Sequence, residues 1–273
     1  MELNWTVYNP ETPAERVLIV GPSLGGNATH QWTPVAAQLI HEARVIFVDL
    51  PGTGLAPVWD DEVEPSLDEL AAGIAQVADK IRAEEGDVPI WFAGLSISGA
   101  VALHVARDYP EKFAGVVMVA SAAKVGEPDR WRERADMVEE KGTQVLVDET
   151  VKRWFTPTFR AQRPAVVDAI MEGLSVADDH SYAQLCRALA EHDMREELSL
   201  IRIPVIAIAG ERDSSTPLEN VEYVAETVLR GGLHIIDGAA HQVPVSHPTE
   251  VATIIRPLLH RRRESRVVSE SED

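Results

Sequence analysis

Five short runs of consecutive apolar residues, at 17–20, 45–48, 90–93, 116–120 and 205–209, restrict what this chain can fold into. Each has the length of a strand and lacks polar alternation, so each must be covered on both faces. Helix-period segments separate the first four. Ser66 and Glu69 read as a capping box, followed by Leu67, Leu70, Ala71, Ile74, Val77, Ala78 and Ile81 on one face. Strand and helix in alternation predict an α/β protein with a mostly parallel, doubly wound sheet and right-handed crossovers. Further expectations are an edge strand at 3–8, helices at 34–40 and 218–229, a last strand at 233–236 and a closing helix at 248–259.

The alternation stops between 122 and 203, where charged amphipathic segments are broken near Gly142, Pro157, Pro164 and Gly173. A helical insertion between two parallel strands is predicted to cap one end of the sheet. The expected organisation is a core from 1–121 and 204–260, a helical cap from 122–203, and a solvated, disordered tail at 261–273.

Composition removes several functions. With 44 acidic and 25 basic residues and a net charge of −19, the chain repels phosphate backbones and anionic membranes, so neither nucleic acid nor membrane is an expected partner. The one cysteine, Cys186, rules out an intramolecular disulfide and argues against structural zinc. The N-terminus lacks a basic segment followed by an apolar core, and no run nears the about 20 apolar residues of a membrane span, so a cytoplasmic protein is expected.

At the carboxyl end of the run at 90–93, Gly94-Leu95-Ser96-Ile97-Ser98-Gly99 turns a strand directly into a helix. Small residues around Ser96 suit a strained turn that lifts a nucleophilic hydroxyl above the sheet; the competing reading is that Ser96 merely caps the helix. A nucleophilic serine needs a histidine and an orienting acid. In parallel sheets functional groups collect at the carboxyl ends of strands, and two such loops supply partners. One carries Asp213, with Glu211 as rival; the other carries His241, with His247 as rival. The order Ser, Asp, His is that of the nucleophile-elbow hydrolases. Asp213 before Thr216-Pro217 also fits a turn cap, and His104 and His234 read as packed residues. Oxyanion donors are expected from the Ile97 amide and, in Pro22-Ser23-Leu24-Gly25, from Leu24, with Ser23 as the alternative; Pro22 has no N–H.

The chain resembles the α/β-hydrolase superfamily over nearly its whole length, and more narrowly the 3-oxoadipate enol-lactonases of the β-ketoadipate pathway. The narrow resemblance rests on the oxyanion loop, Gly94-Leu95-Ser96, Arg153-Trp154-Phe155-Thr156-Pro157, Tyr182 with Cys186-Arg187-Ala188-Leu189, and Asp193-Met194-Arg195-Glu196-Glu197-Leu198. It departs at Ser98-Gly99, where relatives carry Gly-Gly, and at Leu50-Pro51, where many carry an arginine. The resemblance implies a small-molecule ester or lactone substrate, no metal or organic cofactor, and a cation for the substrate carboxylate. Arg153, Lys124 and Arg130 are candidates, with Trp154 lining the site or packing in the cap. A carboxylesterase, a carbon–carbon bond hydrolase or a non-catalytic ligand receptor are the alternatives on this scaffold.

Overall fold

The computed structural model describes residues 1–260. The expected tail at 261–273 lies outside them. Among the described residues, seven strands run β1 (Asn4–Val7), β2 (Val17–Gly21), β3 (Arg44–Asp49), β4 (Ile90–Leu95), β5 (Gly115–Val119), β6 (Val205–Gly210) and β7 (Gly231–Ile236). They form one sheet in the order β1-β3-β2-β4-β5-β6-β7. Only β1 is antiparallel, pairing with β3; the remaining neighbours are parallel. This is the mostly parallel, doubly wound sheet that the alternation predicted, in the α/β-hydrolase order that the resemblance implies.

Side chains leave the central strands alternately toward two cores. Ile19, Ile46, Phe92, Val116 and Ala207 pack on one face with α2 (Leu67–Glu85), α3 (Ile97–Asp108) and α9 (Leu218–Thr227). Leu18, Val45, Trp91, Val117 and Ile208 pack on the other with α1 (Ala28–Ala36) and α11 (Pro248–Leu259). Both faces are buried, which is why these strands read as unbroken apolar runs.

Two boundaries differ from expectation for identifiable reasons. The first helix starts at Ala28, earlier than the expected 34, because Asn27 caps it through His30 N and the neighbouring strand's Asp49 carboxylate accepts from Ala28 N. The last strand starts at Gly231 rather than 233: β7 is an exposed edge strand, where glycine costs less packing, and β6 supplies its ladder. At α2 the box is half formed. Ser66 Oγ accepts from Glu69 N, while the Glu69 carboxylate binds the N-terminal ammonium.

Between β5 and β6 lie α4 (Pro128–Lys141), α5 (Val147–Trp154), α6 (Pro157–Gln162), α7 (Pro164–Ser175) and α8 (Asp179–Ala190), with α10 (Val243–Ser246) completing the set after β7. Prolines begin α4, α6 and α7, where a missing N–H costs nothing. These helices share the core of the α2 and α3 face through Leu146, Trp154, Phe155, Leu174 and Tyr182.

Candidate active site

Ser96 stands between β4 and α3 with φ 56° and ψ −116°, and its side chain makes no capping hydrogen bond. The helix-cap reading therefore fails. The strain is held by neighbours: Ser96 N donates to Val119 O (2.8 Å), and the turn is so tight that a Cβ on Gly94 would lie 2.0 Å from the Ser98 carbonyl oxygen. Only glycine fits at 94. The Ile97 amide, at the first position of α3, takes no backbone acceptor among the described residues.

The loops after β6 and β7 bring Asp213 and His241 together in the interior. Asp213 Oδ2 accepts from His241 Nδ1 (2.8 Å) and from Thr216 Oγ1 (2.6 Å), while Oδ1 accepts from the amides of Ser215 (2.7 Å) and Thr216 (3.1 Å). The turn-cap and histidine-orienting readings of Asp213 are thus one arrangement, since the turn fixes the carboxylate that holds the ring. Burial pushes the Asp213 carboxyl up, but the His241 charge and bond and the Thr216 bonds outweigh it and leave it below its ordinary value. In its neutral form, with Nδ1–H committed to Asp213, His241 would present the Nε2 lone pair. Nε2 takes no hydrogen bond among the described residues, as is common before a substrate draws nucleophile and base together.

The rivals are engaged elsewhere. Glu211 is exposed and accepts from Gly238 N (2.8 Å). His247 Nδ1 bonds Ser246 Oγ. His104 is buried between Asp68 (2.6 Å) and His192 (3.0 Å), and His192 Nε2 donates to Ala122 O. Asp68, His104 and Asp108 offer ligand atoms within 4.8 Å of one another, but Asp68 and Asp108 are already paired with Arg107.

The Pro22–Gly25 loop, the expected source of an oxyanion donor, is fastened from three sides. Ser23 N donates to Gln31 Oε1 (2.9 Å), so that amide is spent, whereas Leu24 N takes no acceptor among the described residues. Ser23 Oγ accepts from Gln31 Nε2 (2.6 Å) and from Gln242 Nε2 (3.2 Å), and Ser98 Oγ donates to Pro22 O (2.6 Å). Gln31 and Gln242 are fully buried. Sequence reasoning missed both; an amide side chain beside a strand-end loop carries no local signature. Gly25, at φ 70°, is the joint with the cap: a Cβ there would lie 2.5 Å from Leu174 Cδ1 and 2.9 Å from Tyr182 Cε2.

The candidate substrate residues separate. Trp154 is buried, its ring centroid 6.2 Å from that of His241, and its carbonyl accepts from Gln242 N (3.1 Å). Arg153 is half-buried and within electrostatic reach of Asp213. Lys124 instead pairs with Glu127 (3.2 Å) on a separate surface cleft lined by Arg195, Asn220 and Tyr223, and Arg130 is exposed on α4. Leu50, at the departure from relatives, is buried core.

A strained serine after a central strand, with a buried acid and histidine on later strand ends, defines an α/β-hydrolase. The chain belongs to this family: the model described as serine aminopeptidase, S33 matches residues 25–246. Among individual proteins, it is 30% identical over 261 residues to 3-oxoadipate enol-lactonase 2 of Acinetobacter baylyi, covering 95% of this chain and 93% of that one. Similarity also extends to the pimeloyl-[acyl-carrier protein] methyl ester esterase of Aeromonas hydrophila, at 27% identity with 88% and 92% covered. The solved enol-lactonase from Burkholderia xenovorans LB400 has the same fold, with a TM-score of 0.86, 22% identity, and 95% and 96% covered. Among the described residues no helix is long and apolar enough to cross a membrane.

Proposed function

We propose that this hydrolase opens an enol-lactone of the 3-oxoadipate type by acyl transfer through Ser96. The observation that carries the nucleophile assignment is the strained backbone of Ser96 combined with a hydroxyl that does not cap its helix. The lactone is supported by the similarity to the Acinetobacter enol-lactonase across 95% of the chain.

In this reading His241 Nε2 takes the Ser96 proton as Oγ attacks the lactone carbonyl, and Asp213 holds the resulting imidazolium. The amides of Ile97 and Leu24 receive the oxyanion at no cost in buried charge. Collapse breaks the ring C–O bond, and the departing enol oxygen takes the proton from His241. The leaving group stays tethered to the acyl-enzyme. His241 then deprotonates a water that attacks the acyl carbon, and Ser96 leaves with its proton restored, releasing an enol dicarboxylate that tautomerises to the oxo form by moving the enol proton from oxygen to carbon. An enol is a better leaving group than an alkoxide, so the geometry needs only a proton shuttle and an oxyanion site.

The test combines a fluorophosphonate label with product identification from the enol-lactone. Labelling lost in Ser96→Ala, with lactone turnover, supports the reading. An unlabelled native protein removes the nucleophile, while labelling without lactone turnover removes the substrate assignment. Similarity to the Aeromonas methyl ester esterase favours a carboxylesterase as the second reading, which turnover of simple 4-nitrophenyl esters in place of the lactone would select.

A further inference from the structure

Gln242 directly follows His241, and it is fully buried although only half of its side-chain amide is used. Nε2 donates to Ser23 Oγ at 3.2 Å, while Oε1 has no partner among the described residues. A buried acceptor left unpaired costs free energy that a methionine of similar size would avoid. Packing alone therefore does not account for a glutamine here. What the amide does is reach across 219 positions of sequence to the residue before Leu24, the proposed oxyanion donor.

The backbone makes the histidine and this amide one piece. Gln242 has φ −83° and ψ 59°, and Val243 N donates to His241 O at 2.9 Å, which is an inverse γ-turn centred on Gln242. With only three residues in the turn, His241 cannot shift without carrying Gln242 along. The cap holds the same residue through Trp154 O, which accepts from Gln242 N at 3.1 Å. Ser23 is equally fixed at the other end: Gln31 takes its N–H and donates to its hydroxyl, and its carbonyl accepts from Gly26 N at 2.8 Å. Asp213 sets which way the imidazole faces, but it does not touch the Pro22–Gly25 loop. Among the described residues no hydrogen bond other than that of Gln242 joins this loop to the one carrying His241.

We propose that Gln242 is a positioning residue that sets the distance from His241 to the Leu24 amide, so that base and oxyanion donor are held in register by one buried amide. This rests on the proposed roles of Ser96, His241 and Leu24 and adds the link between the last two. Proton abstraction and oxyanion binding belong to one transition state, and a misplacement of about 1 Å can cost on the order of 100-fold. Ground-state binding needs neither, so the effect falls on the limiting rate rather than on affinity.

The experiment follows covalent labelling by a fluorophosphonate, which uses the same base and oxyanion donors and does not depend on which ester is the substrate. Limiting rate, half-saturating concentration and melting temperature are measured for wild type, Gln242→Met, Ser23→Ala and the double variant, with Ser96→Ala as control. Gln242→Met, which can neither donate nor accept here, should slow the limiting rate roughly 10-fold. Its half-saturating concentration should be unchanged, and its melting temperature should not fall, because the unpaired Oε1 is gone. A purely structural glutamine would give the reverse, a lower melting temperature with the rate unmoved. Ser23→Ala should slow labelling by a similar factor, and the double variant by no more than the worse single variant, since both changes cut one link. That cycle reads the link whatever either change does to stability. An unchanged limiting rate in Gln242→Met, or single effects that multiply in the double variant, overturns the positioning role and leaves Ser96 as nucleophile. A wild-type protein that is not labelled, or labelling that persists in Ser96→Ala, overturns the nucleophile itself and the positioning role with it.

Discussion

Replacing Ser98 by alanine tests whether the elbow and the oxyanion loop act as one piece. Ser98 is 1% exposed and its hydroxyl is the donor to Pro22 O at 2.6 Å, two residues before the Leu24 amide. Ser98→Ala removes the donor and leaves a buried carbonyl unpaired, which costs about 1–3 kcal/mol. At roughly 2–4 °C per kcal/mol for a domain approaching this size, the melting temperature should drop by about 2–12 °C. Loss of an entire oxyanion donor costs about 10²–10³ in kcat. Loosening the loop that carries one should cost on the order of 10-fold, with KM changed far less because the ground-state carbonyl depends less on that amide. Calorimetry and steady-state kinetics on one ester read both numbers. Ser98→Gly restores the small residue of the enol-lactonases and should lose about half a kcal/mol more through helix propensity. Wild-type kcat and an unshifted melting temperature in Ser98→Ala would refute the coupling, and the serine would be only a tolerated substitution for glycine.

Three further outcomes follow from the site and its supports. Asp213→Asn should keep the fold but cut kcat by about 10³–10⁴, since the amide cannot hold the required histidine tautomer; steady-state rates with circular dichroism check this, as they do for a comparable loss in His241→Ala. Gly25→Ala combines a left-handed φ with a Cβ 2.5 Å from Leu174, so urea unfolding should show a loss of about 1–3 kcal/mol together with a lower kcat. Acid should also destabilise the protein through His192, whose burial lowers its pKa from 6.5 to about 4. Below pH 6.5 the unfolded chain takes up a proton that the native state refuses, so stability falls as pH drops from 6.5 toward 4, by at most about 3 kcal/mol. Asp68 and Asp213, with depressed values, lose their contributions only below the ordinary 3.8, while Asp49, raised by burial, gives an opposite slope above it. Urea unfolding of wild type against His192→Asn isolates the term: the variant should lack it, and identical pH slopes would refute it.

What could be read from sequence was what is encoded locally. Buried parallel strands announce themselves as unbroken apolar runs, Ser66 marks a helix start within four residues, and Gly94 flags a turn that admits no Cβ. That Asp213 and His241 meet was legible because topology, not side-chain detail, puts strand ends together. Contacts made between distant segments were not. Gln31 and Gln242 meet at Ser23, 8 and 219 residues away in sequence, and neither amide differs locally from a surface glutamine. The surroundings of Lys124, Arg130 and Arg153 were illegible for the same reason: only the fold shows that Lys124 pairs with Glu127, that Arg130 is exposed and that Arg153 is half-buried.

That limit bears on how the cap can vary. It is joined to the chemistry at two points: the Tyr182 and Leu174 side chains fill the space above Gly25, and the Trp154 carbonyl holds the amide next to His241. A helix that only covered the sheet could change freely with substrate. These helices also pack on the Pro22–Gly25 loop and hold the loop that carries His241, so residues facing Gly25 and Gln242 cannot change without disturbing both. Tyr182 ties the two parts together, its ring pressing on Gly25 and its hydroxyl accepting from Arg134.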